Sequence, residues 1–341
     1  MPRGTPDVAD WCARGPYRVG VRRTAIGDPE DERREVPVDL WYPAAAATDG
    51  EEAASHPASF PHRAIEGAPA HGASAPLVVF SHGNSGFARQ STFLTTQLAS
   101  WGIAVVAPDH SGNTFPEMLA LAPDDDDARI AVHKAARYNR PRDAMRSLEA
   151  ALGGRLGGPP MDGGRIGALG HSFGGWTVLK LPRLEPRIRA LCALAPASEA
   201  FVGRRAFEPD ELPFDRPIES LVVAACEDAL VDLDSSVRPL VARLAPPVAL
   251  VGIEQADHFH FCDGIDVLHR MHLANPRAGA LRPTLPSEEV LPEARAQRAI
   301  AGLVTAFFTS ALGVGAGEAR RVEKLDDAAL ARIDPGLRRL A

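Results

Sequence analysis

The sequence predicts an α/β fold with a mostly parallel central sheet and helices on both faces. Three observations carry this. Short apolar runs such as Pro76-Leu-Val-Val-Phe80 recur along the chain, as strands covered on both faces require. Longer segments with helical periodicity lie between them. Gly- and Pro-rich breaks, such as Gly153-Gly154 and Gly157-Gly158-Pro159-Pro160, separate the elements. Strand and helix signals alternate in this way from residue 77 to 312.

Strands are expected near 17–24, 36–42, 77–81, 103–107, 165–169, 189–194, 219–225 and 248–253. The first two are joined by a short polar link and read as an antiparallel edge. Helices are expected near 88–100, 140–152, 174–181, 235–243 and 293–312. The last contains Arg298-Ala-Ile-Ala-Gly-Leu-Val-Thr-Ala-Phe-Phe308, whose apolar content should pack on the sheet. Residues 1–312 read as a single domain. Residues 44–75, rich in Ala, His, Pro and Ser, read as a mobile surface loop. Residues 113–138, 199–217 and 262–292 are candidate lid insertions. Residues 313–341 begin with a Gly-rich break and read as a C-terminal helical appendage.

Composition excludes several functions. The chain has 341 residues, and a hydrophobic content of 45% is enough for one large core. A net charge of −7 argues against nucleic acid as a partner. Arginine pairs are scattered among acids, the pattern of a solvated surface. No apolar run reaches the roughly 20 residues that a membrane helix needs. The N-terminal segment lacks the apolar core of a signal peptide, so a cytoplasmic location is expected. The four cysteines, Cys12, Cys192, Cys226 and Cys262, show no C-x-x-C spacing, so neither a zinc site nor a redox pair is indicated. Asp124-Asp-Asp-Asp127 lacks the alternation and the glycine of a calcium loop and reads as a solvated turn or helix start. His269 and His272 share a helix face but have no third ligand nearby. No metal and no cofactor is expected.

Gly170-His171-Ser172-Phe173-Gly174-Gly175 matches the G-x-S-x-G nucleophile elbow. Arg165-Ile-Gly-Ala-Leu169 before it is strand-like, and Trp176-Thr-Val-Leu-Lys-Leu181 after it can begin a buried helix. A sharp strand–turn–helix junction puts the serine in a strained conformation with its hydroxyl exposed. The flanking glycines avoid collision with neighbouring backbone. Ser172 is therefore the candidate nucleophile.

A serine needs a base, and the base needs an orienting acid; in this motif's chain order, acid and then histidine follow the serine. Strand 219–225 ends at Cys226-Glu227-Asp228. Asp228 is the first choice of acid, with Glu227, Asp232 and Asp234 as rivals; the last two sit beside a helix start, where Asp commonly caps. Strand 248–253 leads to Asp257-His258-Phe-His260. His258 is the first choice of base, and His260 would face the opposite way in an extended loop. The oxyanion donors are the backbone N–H of Phe173 and one from the loop Ser81-His-Gly-Asn-Ser-Gly86, assigned to Asn84. His82 precedes the serine and reads as a loop anchor, and His110 as a hydrogen-bonded structural residue. Phe87 and Trp176 are candidate substrate-lining residues, although Trp176 also suits a helix core.

With these motifs the chain resembles the serine hydrolases of the α/β-hydrolase superfamily. Within it, the chain is similar to the dienelactone-hydrolase-like and platelet-activating-factor-acetylhydrolase-like group, near the cutinase-like polyester hydrolases. Arg34-Glu-Val-Pro-Val-Asp-Leu-Trp-Tyr-Pro43, Pro76-Leu-Val-Val-Phe-Ser-His-Gly83, Leu98-Ala-Ser-Trp-Gly-Ile-Ala-Val-Val-Ala-Pro-Asp-His110 and Asn139-Arg-Pro-Arg-Asp143 carry the likeness, together with the elbow. The resemblance implies Ser172, Asp228 and His258 as a triad, and the N–H groups of Asn84 and Phe173 as the oxyanion hole. It departs from the strict dienelactone hydrolases, whose nucleophile is cysteine. The acid segment Cys-Glu-Asp-Ala-Leu-Val also departs from the usual Gly-x-x-Asp-x-x-Val-Pro. The resemblance implies hydrolysis of a small or medium acyl ester, a lactone or a polyester; an amidase or acyltransferase would use the same triad. The expected partner is a small-molecule ester or amide, and the sequence leaves the oligomeric state open.

Overall fold

The structure is a computed structural model. It describes residues 10–46, 48, 62–122, 124–198, 204–275, 282–314 and 325–341. Ten strands form one sheet: β1 (Val19–Asp28), β2 (Asp31–Pro43), β3 (Ile65–Glu66), β4 (Ala75–Ser81), β5 (Ala104–Pro108), β6 (Met161–His171), β7 (Ile188–Leu194), β8 (Glu219–Ala225), β9 (Val248–Ile253) and β10 (Leu337–Arg339). Their order is β10-β9-β8-β7-β6-β4-β5-β2-β1-β3. The stretch from β9 to β5 is all parallel, with Val78 opposite Val105 on one side and Gly167 on the other. Every residue of β4 and β5 is buried, as expected when helices cover both faces.

The helices are α1 (Thr92–Ser100), α2 (Phe115–Leu119), α3 (Asp126–Leu152), α4 (Phe173–Lys180), α5 (Arg238–Val241), α6 (Ile265–Ala274), α7 (Glu293–Ala311) and α8 (Asp327–Ile333). Helices α1 and α7 pack together, and α3 and α4 pack together. The core under them includes Phe80, Leu94, Leu98, Ile103, Leu148 and Phe308, all fully buried.

Several elements differ from the sequence reading. Helix α3 starts at Asp126, not near 140. Pro141 lies inside it, and an interior proline ordinarily argues for a boundary because it has no N–H to give. The Asp124–Asp127 run is the start of this helix, with Asp125 accepting the Ala128 N–H at 2.8 Å. The β1–β2 pair is antiparallel, but β2 lies inside the sheet against β5, and the two-residue β3 borders β1. The expected helix at 235–243 is a π-turn at Leu233–Val237 followed by the short α5. In the C-terminal segment, residues 325–341 supply α8 and also β10, antiparallel to β9. Of the 44–75 segment, residues 47 and 49–61 lie outside the described residues. His62 is buried against Trp41, with Arg89 Nη1 3.2 Å from its Nε2. Residues 123, 199–203, 276–281 and 315–324, parts of the candidate lids and the appendage, also lie outside the described residues.

Candidate active site

The chain goes from β4 to β5 on one side and returns to β6 on the other, so loops leave β4 and β6 in opposite directions. In open parallel sheets a ligand crevice forms at such a switch point, outside the carboxyl ends of the strands. Backbone strain gathers at this edge. Among the described residues, four non-glycine residues have positive φ: Ser85 at 57°, Ser172 at 56°, Ala195 at 39° and Gln255 at 59°. They follow β4, β6, β7 and β9. Each such conformation costs roughly 1–3 kcal/mol and persists only where its surroundings enforce it.

Ser172 stands between β6 and α4 with ψ −118°. Its N–H donates to Leu194 O at 2.8 Å, and its carbonyl accepts from Trp176 and Ala197 at 3.1 and 3.0 Å. A Cβ on Gly170 would lie 2.2 Å from Gly174 O, and one on Gly174 would lie 1.8 Å from Ser81 O. Only glycine fits either position. The serine remains partly exposed.

Asp228 follows the end of β8, and its Oδ2 lies 2.7 Å from His258 Nδ1. Its Oδ1 accepts the Leu230 and Val231 N–H groups, each at 2.8 Å. The carboxylate is thus fixed from both ends. His258 opens a single 3-10 turn, His258–Phe261, whose start is capped by Asp257 through the Phe259 N–H at 3.0 Å. The rival residues are engaged elsewhere. Asp232 caps Ser235, Asp234 pairs with Arg238, and Glu227 is exposed. His260 is fully buried between Asp257 Oδ1 and the Leu291 carbonyl, each at 2.8 Å.

The loop after β4 lies against the elbow. A Cβ on Gly83 would sit 3.5 Å from Ser172 Cβ and 3.3 Å from His171 Nδ1. The Gly83 N–H donates to Gln90 Oε1 at 2.9 Å, and Gln90 Nε2 lies 3.1 Å from His171 Nδ1. The His171 ring packs 4.6 Å from that of His258. Burial holds the His171 pKa well below the ordinary histidine value, helped by His258, so the ring is neutral. Among the described residues, neither the Asn84 nor the Phe173 backbone N–H has a hydrogen-bond acceptor. The Asn84 side chain is exposed, and its Oδ1 accepts from Asn113 Nδ2 at 3.0 Å.

A buried Ser–His–Asp array lies under this loop. Ser81 Oγ is 2.8 Å from His110 Nε2, and His110 Nδ1 is 3.2 Å from Asp143 Oδ2. All three side chains are buried, so no substrate reaches Ser81. Asp143 is also gripped by both Arg34 nitrogens at 2.7 Å. His82 Nε2 accepts the His110 N–H at 3.0 Å, anchoring the loop. Burial holds both histidines well below their ordinary pKa.

Phe87 is half-buried, and its carbonyl accepts from the Gln90 N–H at 3.0 Å. Trp176 is 4% exposed and donates its indole N–H to Ala206 O at 2.7 Å. It packs 5.2 Å from the Phe173 ring. The sequence reading did not single out Gln90 or Asp263. Asp263, beyond the histidine turn, accepts from Thr92 N, Thr92 Oγ1 and Phe93 N at 2.7, 2.6 and 3.3 Å. It therefore caps α1, whose own Ser91 instead donates to Phe261 O at 2.7 Å. The histidine turn and the β4 loop are joined by these bonds. Burial outweighs them and pushes the Asp263 pKa up to about 6. An acid that caps a helix 171 residues away leaves no local signal.

The candidate lids contribute α2, the first half of α3, and α6. On α6, His269 Nε2 lies 2.8 Å from Asp257 Oδ2, and His272 Nε2 donates to Arg282 O at 2.9 Å. Among the described residues, no group of three or more His, Cys, Asp or Glu side chains could hold a metal ion. All four cysteines are free thiols. Among the described residues, no helix is long and apolar enough to cross a membrane.

The strand order and the strand–elbow–helix junction define the α/β-hydrolase fold. A ferulic acid esterase from Streptomyces cinnamoneus shares it, with a TM-score of 0.68 and 22% sequence identity over 96% of this chain and 97% of that one. No protein-family model and no curated protein matches the sequence.

Proposed function

We propose that this chain is a serine hydrolase of carboxylic esters, acting through Ser172, His258 and Asp228. The observation that carries the reading is the pairing of Asp228 Oδ2 with His258 Nδ1 at 2.7 Å, in the loops beside a strained, accessible elbow serine. His258 takes the Ser172 proton, and Ser172 attacks the ester carbonyl. Asp228 holds the Nδ1–H tautomer and stabilises the imidazolium that forms. The N–H groups of Asn84 and Phe173 receive the oxyanion. His258 protonates the leaving alcohol, and water repeats the cycle on the acyl-enzyme. Apart from the substrate and water, each step uses side chains and N–H groups of this chain.

The likeness to a ferulic acid esterase supports ester cleavage and makes a ferulic acid ester one substrate to try. The sequence motifs favour the dienelactone-hydrolase-like and platelet-activating-factor-acetylhydrolase-like enzymes as mechanistic relatives. Small and medium acyl esters, lactones and polyesters belong in the same test. Purified protein is incubated with a panel of esters, lactones, amides and polyesters, and products are read by mass. Ester turnover that is lost in Ser172→Ala is the expected result. Turnover of amides alone would favour an amidase, and ester turnover that survives Ser172→Ala would end the serine assignment.

A further inference from the structure

The motif Asn139-Arg-Pro-Arg-Asp143 plays no part in the triad, yet it places a charge directly behind the proposed oxyanion hole. Arg140 is fully buried in α3. Its Nη1 and Nη2 both donate to His82 O at 2.8 Å, and Nη2 donates to Gly83 O at 2.9 Å. Among the described residues, no carboxylate forms an ion pair with it within 4 Å. Its guanidinium lies 4.5 Å from the centre of the Phe173 ring. Burial pushes its pKa down to about 9, so it remains a cation at neutral pH.

The consequence lies in one peptide unit. Gly83 O accepts from Arg140 Nη2, from His82 Nδ1 at 2.8 Å and from the Gly86 N–H at 3.2 Å. His82 carries its proton on Nδ1, because Nε2 accepts from His110. The Gly83–Asn84 bond is trans. In a planar trans peptide the C=O and the following N–H point in opposite directions. Fixing Gly83 O on the buried side therefore turns the Asn84 N–H away from the core. Hydrogen bonds to the carbonyl also polarise the N–H on its far side.

We propose that Arg140 is a positioning residue for the oxyanion hole, orienting and polarising the Gly83–Asn84 peptide. The inference rests on the serine-hydrolase reading. A leucine or methionine at position 140 could fill part of the volume, but it would leave two loop carbonyls buried without this donor.

The test measures kcat and KM on a short p-nitrophenyl ester for wild type, Arg140→Met, Arg140→Lys and Arg140→Ala. Active sites are counted by organophosphonate labelling of Ser172, and folding is checked by thermal unfolding. Per labelled site, Arg140→Met loses about 100-fold in kcat, with KM changed much less. Arg140→Lys recovers part of the loss. Added millimolar guanidinium raises the kcat of Arg140→Ala, whereas sodium chloride at equal ionic strength does not. Folded variants with wild-type kcat per labelled site, or a loss carried by KM alone, would overturn the inference. If the variants do not fold, the wild-type Asn84 amide carries the test. Its proton resonance moves downfield on phosphonylation; an unmoved resonance removes the donor that Arg140 is proposed to orient. Wild-type protein without esterase activity or Ser172 labelling would instead overturn the underlying reading.

Discussion

Replacing Asp228 by asparagine alters a single atom type and should switch off the proposed base. The structure dictates how the amide would sit. Asp228 Oδ1 accepts two backbone N–H groups, from Leu230 and Val231 at 2.8 Å. Only the amide oxygen can take that place, so the NH2 must face His258 Nδ1, now 2.7 Å from Oδ2. An NH2 donor forces Nδ1 to accept, which moves the imidazole proton to Nε2. A ring protonated at Nε2 cannot take a proton from Ser172. The loss expected for this wrong-tautomer state is about 10⁴-fold in kcat, or roughly 5 kcal/mol at 1.36 kcal/mol per factor of ten. The assay is kcat on a short p-nitrophenyl ester, alongside thermal unfolding and nitrogen NMR of His258. The fold should survive, because both backbone bonds to Oδ1 persist. A folded Asp228→Asn protein with kcat within about tenfold of wild type would refute the tautomer argument.

Three further outcomes are expected. Gly174→Ala places a methyl 1.8 Å from Ser81 O and 2.7 Å from His82 O, both backbone, and should cost about 3 kcal/mol or more by urea unfolding. Gly27→Ala, with nothing within 4 Å, serves as the control and should change stability by less than about 0.5 kcal/mol. Ser172→Gly relieves the positive φ and should raise stability by about 1 kcal/mol while removing activity; a stability equal to that of Ser172→Ala would mean that the elbow holds no strain. Asp263 has its folded pKa raised from 3.8 to about 6, so its contribution is fully present below pH 4 and is lost as pH rises to 6. Two pKa units correspond to about 3 kcal/mol. Asp263→Asn should therefore flatten the fall in stability between pH 4 and 6, and an unchanged slope would contradict that origin.

The parts of the candidate site that could be read from sequence are those set by local geometry. Gly170, Ser172 and Gly174 specify a sharp turn because a strand-like segment precedes them and a helix-like one follows, and a strand-end acid and a loop histidine follow from the order of the parallel strands. Asp228 and His258 meet because β8 and β9 are adjacent and parallel, which the alternating pattern already implied. The parts that were hidden depend on distant partners. Arg140 lies 57 residues from the Gly83 carbonyl it holds, and arginine is ordinarily a surface residue. Pro141 disguised the true start of α3. β10 has three residues, two of them arginine, and is a strand only because β9 offers it an edge. The buried Ser81–His110–Asp143 array shows that residue types and distances alone do not define a site. Access to solvent separates Ser172 from Ser81.

Ser172 is the proposed nucleophile, with His258 and Asp228 proposed to activate it. An organophosphonate reacted with the wild-type protein, followed by peptide mass mapping, tests this directly. A single covalent adduct on Ser172, absent from Ser172→Ala and strongly slowed in Asp228→Asn, is the predicted result. Labelling at another residue, or no labelling of the folded protein, would contradict it.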